Sequence, residues 1–182
     1  MDRAVVVRAQ RGDLDAFASI AFEISDRLMG LAQRILRDHG AAEEALQVAL
    51  LRIWKDLPGL REPDSLEAWA ARILVRACQD SLRQTRRTRR VLQLLPNEGQ
   101  VEDPAAKFGE NQELERAFAT LSAAHRAVVV LHYYRDLSLA DIATTLDVPI
   151  GTVRSRLHYA RRALRAALEA EAAPTITEVK AR

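Results

Sequence analysis

Apolar residues recur at helical spacing along almost the whole chain, and this periodicity limits what the chain can fold into. Over 13–37 they return every three or four residues, as on one face of an α-helix. The same spacing runs over 41–57, over 65–92 and from about 111 to 170. No segment alternates apolar and polar residues as a half-buried strand would. We therefore predict an all-α protein.

Glycine, proline and capping residues mark where the predicted helices begin and end. Gly40 follows the first helix, and Pro58 with Gly59 closes the second. The third helix is predicted to start at Asp64 or Ser65, because side-chain oxygens of this kind suit the N-cap position. These breaks divide the first half of the chain into several helices of ordinary length.

One segment, 96–110, breaks the helical periodicity. It combines two prolines, two glycines and four acidic residues with a single lysine, which is the composition of a linker. We predict two small helical domains, 1–94 and 111–170, joined by a flexible acidic linker over 95–110. The residues 171–182 contain a proline and are predicted to form a loose tail.

Arginines carry nearly all of the positive charge. Among 27 basic residues only Lys55, Lys107 and Lys180 are lysines, and the formal net charge is +2. The planar guanidinium group binds phosphates and base edges in a two-pronged geometry that an ammonium group lacks. A compositional bias towards arginine would explain this ratio, but it would not explain where the arginines lie.

The helix predicted over 65–92 has an apolar side and a separate line of basic and polar residues. At 100° per residue, Leu66, Trp69 and Ile73 fall on the apolar side. Arginines of this line that are four residues apart, such as Arg72 and Arg76, repel each other. Binding of a polyanion such as DNA would relieve that repulsion and release counterions. A merely solvated face is the alternative interpretation. The line, here called the basic stripe, consists of Arg72, Arg76, Gln79, Arg83, Arg86 and Arg90.

The segment 139–168 has the pattern of a helix-turn-helix. Two apolar stripes at helical spacing are separated by Asp147, Val148 and Pro149, which break the helix. The second helix has five arginines and no acidic residue, as suits the major groove of DNA. Packed helix pairs that do not bind DNA can imitate this spacing. The polar positions of the second helix are Arg154, Ser155, Arg156, His158, Tyr159, Arg161, Arg162 and Arg165.

The helix predicted over 41–57 has a mixed surface opposite its apolar side. This mixed patch contains the polar Glu44 and Gln47 but also the aliphatic Val48 and Leu51. Two aliphatic residues on a polar face suggest a binding surface for a partner protein. Coverage by another helix of the same domain explains them equally well.

Other kinds of chemistry have no support in the sequence. The single cysteine, Cys78, cannot form an internal disulfide or a cysteine zinc site, and the four histidines have no metal-binding spacing. No phosphate-binding loop, dinucleotide fingerprint, signal peptide or apolar run of about 18 residues is present. We expect a cytoplasmic, non-enzymatic protein without cofactor, metal or membrane span.

Several motifs resemble those of bacterial extracytoplasmic-function sigma factors, the smallest members of the sigma-70 family. The most specific are 137–143 (LSLADIA) and 148–161 (VPIGTVRSRLHYAR), which are similar to the family's LS, EIA and GTVKSRLHRAR elements. The segment 121–128 resembles the lead into that domain. Upstream, 42–47 is similar to the family's polymerase-binding helix, and 68–73 (AWAARI) is similar to its WL-RIA element.

The resemblance implies a first domain that binds the clamp of core RNA polymerase and captures the promoter −10 element. It implies a second domain, of helix-turn-helix type, that binds the polymerase flap and reads the −35 element. An anti-sigma protein is a further partner that the resemblance implies. The chain has Val48, Arg76 and Tyr159 where the family usually has an acidic residue, an asparagine and an arginine.

These implied roles fall on the surfaces already identified. The polar residues of the second helix of the helix-turn-helix would contact −35 DNA, with base contacts from Arg154, Ser155, His158 and Tyr159. The basic stripe, with Arg61 and Ser65 from the loop before it, would contact −10 DNA. The mixed patch would bind the polymerase.

Two rival hypotheses stay open at this point. A stand-alone helix-turn-helix regulator would bind duplex DNA without polymerase, usually as a dimer on paired half-sites. A sigma-like decoy would bind a regulatory protein instead of promoters, and Val48 in place of an acidic residue is compatible with it. Run-off transcription with core polymerase distinguishes the three.

Overall fold

The computed structural model describes residues 2–92 and 112–172, and every regular element in these ranges is helical. The all-α prediction is confirmed. The predicted linker over 95–110 and most of the predicted tail lie outside the described residues. The helices are α1 (Arg3–Gln10), α2 (Leu14–Leu36), α3 (His39–Asp56), α4 (Leu66–Leu92), α5 (Gln112–Ala119), α6 (Ala123–Val129), α7 (Leu139–Leu146) and α8 (Ile150–Ala172).

Aspartate side chains cap the N-termini of the first three helices. Asp13 Oδ1 accepts a hydrogen bond from the Ala16 N–H (3.0 Å), and Asp38 Oδ1 accepts one from the Ala41 N–H (2.8 Å). Each bond satisfies a backbone donor that has no partner within its helix. These caps explain why α2 and α3 start where they do.

The predicted stop at Gly40 is wrong. α2 ends at Leu36, and Arg37 follows it in the left-handed conformation with φ 56°. Gly40 lies in the first turn of α3. The Asp38 cap starts α3 sooner than the glycine suggested, because a side-chain acceptor outweighs the modest cost of glycine near a helix end.

The first three long helices, α2, α3 and α4, form the N-terminal bundle, with α1 packed across α2. Their contact surfaces combine large aliphatic side chains, such as the fully buried Ile20 and Ile53, with small ones. Alanines supply the buried side of most of α3, so neighbouring helix backbones approach closely. The buried residues of α3 are Ala42, Ala45, Ala49 and Ile53.

The C-terminal half is a helix-turn-helix, as predicted. Ser138 caps α7 by accepting from the Asp141 N–H (3.1 Å), and Asp147 ends α7 in the left-handed conformation with φ 51°. The turn passes directly into α8, which packs on α5, α6 and α7 and has Val153 and Ala160 buried. This arrangement leaves the opposite side of α8 open.

The end of α6 was not predicted. The helix continues from Val129 into one π-helical turn over Val130–Tyr134 before the chain leaves towards α7. His132 Nδ1 donates to the carbonyl of Leu137 (3.1 Å) across this exit. In this turn Tyr133 and Tyr134 are about half exposed, while Val130 and Leu131 are buried in the core.

The two halves pack against each other rather than standing apart. α2 contacts α6 and the π-helical turn, and α4 contacts α7. Buried residues of both halves, among them Ile35 and Val128, belong to one continuous apolar cluster. No helix within the described residues is long and apolar enough to cross a membrane. No group of residues suited to binding a metal ion is found in the same ranges.

Replacing Ile53 with alanine tests the packing of α3. The side chain is fully buried, so Ile53→Ala removes apolar contacts and leaves a cavity. We expect the free energy of unfolding in urea to fall by about 2–5 kcal/mol. The matched control is Leu51→Ala on the same helix, where the side chain is 71% exposed. Its effect should stay within about 0.5 kcal/mol.

Candidate nucleic-acid interface

α8 presents a basic surface to solvent. Its inner face, which packs on α5, α6 and α7, contains the buried residues Val153, Leu157 and Ala160. Arg156 is half-buried at one edge. Among the described residues, no carboxylate forms an ion pair with an arginine of α8. The exposed positions are Arg154, Ser155, His158, Tyr159, Arg161, Arg162 and Arg165.

Two of the polar side chains on this surface have contacts of their own. The Ser155 hydroxyl donates to the carbonyl of Thr152 (3.0 Å), within its own helix. The Tyr159 ring, which is 59% exposed, lies near the rings of His158 and His125, with centroid distances of 5.9 and 6.5 Å. Tyr159 therefore offers an aromatic face at the centre of the surface.

His125 adds a group that the sequence did not single out as functional. It lies in the first turn of α6, where its Nδ1 is 3.1 Å from the Ser122 hydroxyl. Partial burial and the nearby positive charge of Arg156 hold the pKa of His125 below its usual value. The neutral imidazole adds no charge to a surface already crowded with guanidinium groups.

The basic stripe of α4 divides into groups with different surroundings. Arg72 is half-buried, and its Nε has no hydrogen-bond partner in the part of the chain that the structure describes. Arg76 donates to carbonyls of α7, through Nε to Thr145 (3.3 Å) and through Nη2 to Thr144 (3.5 Å). Gln79 is half-buried.

The outer part of the stripe lies closer to solvent. Arg83 is exposed and lies 3.5 Å from Asp80 of its own helix, which also binds Arg52 of α3 at 3.0 Å. The side chains of Arg86 and Arg90 lie outside the described part of the structure. Two members of the stripe therefore already have partners: Arg83 contacts Asp80, and Arg76 contacts α7.

The loop before α4 is held by a residue that the sequence did not point to. Gln10 of α1 donates through Nε2 to the carbonyls of Leu57 (3.1 Å) and Leu60 (2.7 Å). Pro63 is buried beneath the loop. Gln10 is about fifty residues from these partners, so no local spacing could have revealed the contact.

Arg61 and Ser65, the two loop residues predicted to contact DNA, have different surroundings. Arg61 is exposed. Ser65 is also exposed, but its hydroxyl donates to the carbonyl of Glu62 (2.8 Å) within the short turn that leads into α4. The rim of the loop therefore combines the exposed guanidinium of Arg61 with a hydroxyl that shapes the turn.

The two explanations of the mixed patch each apply to one of its aliphatic residues. Val48 is half-buried and packs against the core of its own domain. Leu51 is 71% exposed, and the polar Glu44 and Gln47 beside it are exposed as well. The open part of the patch is therefore one leucine flanked by polar groups.

Exposed apolar side chains also occur where the sequence did not suggest them. Phe22 and Leu14 on α2 are 88% and 67% exposed, although Leu14 follows the helical periodicity of its core-facing neighbours. At the other end of the chain, Tyr133, Leu164 and Leu168 line an open groove of about 440 Å³ between the π-helical turn and α8. The exposed side chains of α2 and the groove beside α8 both arise because no neighbouring helix covers them among the described residues.

Comparison with known proteins gives matches over both halves of the chain. The family profile described as Sigma-70 region 2 matches residues 23–88, and the profile described as Sigma-70, region 4 matches residues 117–166. The RNA polymerase sigma-H factor of Pseudomonas aeruginosa is 30% identical over 188 residues, covering 92% of this chain and 94% of its own.

Further relatives agree in sequence and in structure. The ECF RNA polymerase sigma factor SigL of Mycobacterium tuberculosis is 36% identical over 146 residues, covering 76% of this chain and 80% of its own. The sigma factor RpoE of Bartonella quintana, in its co-crystal structure with the anti-sigma factor NepR, is similar with a TM-score of 0.64 and 25% identity. That match covers 84% of this chain and 96% of the solved one.

The low pKa of His125 can be tested directly. Because the charge of Arg156 is one of its two causes, Arg156→Gln should raise the pKa of His125 towards 6.5 without restoring it fully, since the burial remains. A pH titration of the His125 ring signals by NMR measures the change. Arg154→Gln removes the same charge at an exposed position and should leave the pKa where it was. Equal titration curves for the two variants would refute the Arg156 contribution.

Proposed function

Because the chain belongs to the extracytoplasmic-function class of the sigma-70 family, we propose that its surfaces divide promoter recognition between the two halves. The protein is an RNA polymerase sigma factor that directs promoter-specific transcription initiation. The observation that carries this conclusion is the succession of regions 2 and 4 along one chain, with relatives similar over nearly their full length.

α8 is the proposed reader of the −35 element. A helix with one buried and one basic face enters the major groove, where its N-terminal turns meet base edges. Arg154 and Ser155 lie in these first turns, with His158 and Tyr159 one turn further on. The exposure of these side chains and the lack of ion pairs within the described residues support this role. Arg156, Arg161, Arg162 and Arg165 would bind phosphates, which position the helix without specifying sequence.

The −10 element is assigned to α4 and the loop before it. Arg61 and Ser65 at the loop would bind a base that has left the duplex stack, while the basic stripe tracks the backbone. Gln10 supports this assignment, because its two bonds to loop carbonyls hold the loop in shape before DNA arrives. Capture of such a base would offset a few kcal/mol of unstacking without ATP.

The open part of the mixed patch is the proposed contact with core polymerase. An exposed leucine between polar side chains is a suitable centre for a protein interface, because its burial is favourable and its polar rim can be hydrated. Val48 contributes packing within its own domain and would support this surface from below.

The remaining assignments follow from this role. The protein would act by binding alone, without a cofactor and without catalysing a reaction, in the cytoplasm where polymerase and chromosome meet. The structural relative from Bartonella quintana is bound to an anti-sigma factor. We propose that a regulatory protein of that kind also binds this chain. Run-off transcription on genomic promoter fragments, with core polymerase in the presence and absence of this chain, tests the function as a whole.

Arg162→Ala tests the phosphate contacts of α8. We expect weaker binding of the holoenzyme to promoter DNA, and a plot of log K against log salt whose slope is shallower by about one unit. Filter binding over a series of salt concentrations measures both quantities. Arg162→Lys retains the charge and should retain the slope. A wild-type slope in Arg162→Ala would mean that this arginine contacts no phosphate.

Leu51→Asp tests the polymerase contact. Placing a charge at the centre of the mixed patch should reduce capture of core polymerase at least tenfold, because a carboxylate would be buried without a partner. Pull-down with tagged protein measures the loss, and circular dichroism checks that the helices persist. Leu14→Asp makes the same change at an exposed leucine of α2 and should bind normally. Undiminished capture by Leu51→Asp would exclude the patch.

A further inference from the structure

One position on the basic surface of α8 is aromatic instead of cationic. The Tyr159 side chain is 59% exposed. Ser155 and Arg156 precede it by one helical turn and therefore lie on the same flank of the helix. A guanidinium group at this position would only donate hydrogen bonds, whereas a phenol ring presents a broad apolar face. The two kinds of side chain suit different groups on DNA.

Two histidine rings lie against the Tyr159 ring. His158, its neighbour in α8, meets it edge-on, with ring centroids 5.9 Å apart and ring planes at 76°. His125 reaches it from α6, with centroids 6.5 Å apart and planes at 37°. Both distances are within the range at which aromatic rings attract each other. These contacts restrict the directions that the Tyr159 ring can take and still leave more than half of the side chain open to solvent.

His125 takes part in this cluster as a ring and not as a cation. Its pKa is below the usual value because of partial burial and the nearby charge of Arg156, so the imidazole is neutral at pH 7. A protonated imidazole would be drawn towards a DNA phosphate, and the neutral ring is not. Its Nδ1 lies 3.1 Å from the Ser122 hydroxyl, which restrains the ring from its own helix.

The major groove of DNA contains one apolar group that such a ring can contact. Base edges present hydrogen-bond donors and acceptors there, and the C5-methyl group of thymine is the exception. Arginine is suited to the O6 and N7 acceptors of guanine. An aromatic face gains little from those acceptors, but packing against the thymine methyl removes apolar surface from water. Thymine is therefore the base that an aromatic side chain at this position distinguishes from the others.

We propose that the Tyr159 ring reads the C5-methyl group of a thymine in the −35 element, and that His125 is a positioning residue that keeps the ring turned towards that base. The inference rests on the proposed role of α8 at the −35 element and adds the base and the chemical group that are read. Tyr159 follows Arg154 by five residues, which span about 7.5 Å of helix, or roughly two base-pair steps. The two side chains therefore reach different base pairs.

Selection from a promoter fragment with a randomised −35 region tests the base preference. Holoenzyme assembled from core polymerase and this chain retrieves the bound fragments, and sequencing gives the frequency of each base. We expect the parent chain to select thymine at one position where Tyr159→Ala has no preference. Tyr159→Arg should select guanine there, because a guanidinium group pairs with its O6 and N7 atoms. The same thymine preference in Tyr159→Ala and the parent chain would overturn the proposal.

Deoxyuridine in place of the selected thymine tests the methyl group alone, because it retains every hydrogen-bonding group of the base. In filter binding, the parent holoenzyme should bind the deoxyuridine fragment about fourfold more weakly than the thymine fragment. Tyr159→Phe retains the ring and should retain this ratio, while Tyr159→Ala should bind both fragments equally. Equal binding by the parent chain, or loss of the ratio in Tyr159→Phe, would refute a contact between the ring and the methyl group.

The same ratio tests His125. His125→Ala should bring the ratio closer to one, and His125→Phe, which restores a ring, should raise it again. A purely structural role would weaken binding of both fragments equally and leave the ratio unchanged, and that result would exclude positioning by His125. A holoenzyme that selects no −35 sequence would contradict the proposed function itself. One that selects a sequence without a thymine dependent on Tyr159 would contradict only this inference.

Discussion

Close packing of α3 between α2 and α4 is the constraint on which the rest of the structure depends. Alanines at most of the buried positions of α3 let the neighbouring helices approach it closely, and the fully buried Ile53 adds a large aliphatic side chain to the same core. Once α4 lies against this core, its apolar side faces inward and the basic stripe is directed along its outer flank. The mixed patch and the loop held by Gln10 take their positions from the same packing.

Arginine serves several purposes in this protein, and its surroundings decide which. On exposed surfaces it pairs with carboxylates, as Arg27 does with Glu67 at 3.0 Å, and such pairs contribute at most about 1 kcal/mol. At the boundary between the halves, Arg76 and Arg126 donate to carbonyls at helix ends. On α8 every arginine except the half-buried Arg156 is exposed to solvent, where it suits a polyanion. The same side chain thus pairs with a carboxylate in one place and stabilises a helix end in another, and on α8 it is the proposed ligand of phosphate.

The buried position of Arg126 shows how tightly the boundary between the halves is built. Burial and the positive charge of Arg37 lower the pKa of Arg126 to about 10, so the guanidinium remains protonated at neutral pH. A buried charge is tolerated only when its donors find acceptors, and two carbonyls from different parts of the fold supply them. The contact is specific because the buried guanidinium needs both the Ile35 and the Leu121 carbonyl in position to accept its hydrogen bonds.

The local features of the candidate site were largely predictable. The helix-turn-helix, the exposed polar face of α8 and the apolar side of α4 follow from a period of 3.6 residues and from turn chemistry. Predictions were less successful where two separate elements meet. Val48 and Leu51 look alike on the helix, yet one packs against the core and the other is exposed. Gln10 and Phe22 gave no local signal at all.

The sequence by itself determined the helical class, the position of the helix-turn-helix and which side chains α8 turns outward, because these depend on spacing within one element. Only the tertiary structure decided that α2 and α4 pack against α6 and α7. That contact commits Arg76 and Arg126 to carbonyls far away in the chain. The reason is physical: periodicity describes one helix at a time, whereas an unpaired carbonyl at a helix end can be satisfied by a donor from any part of the chain.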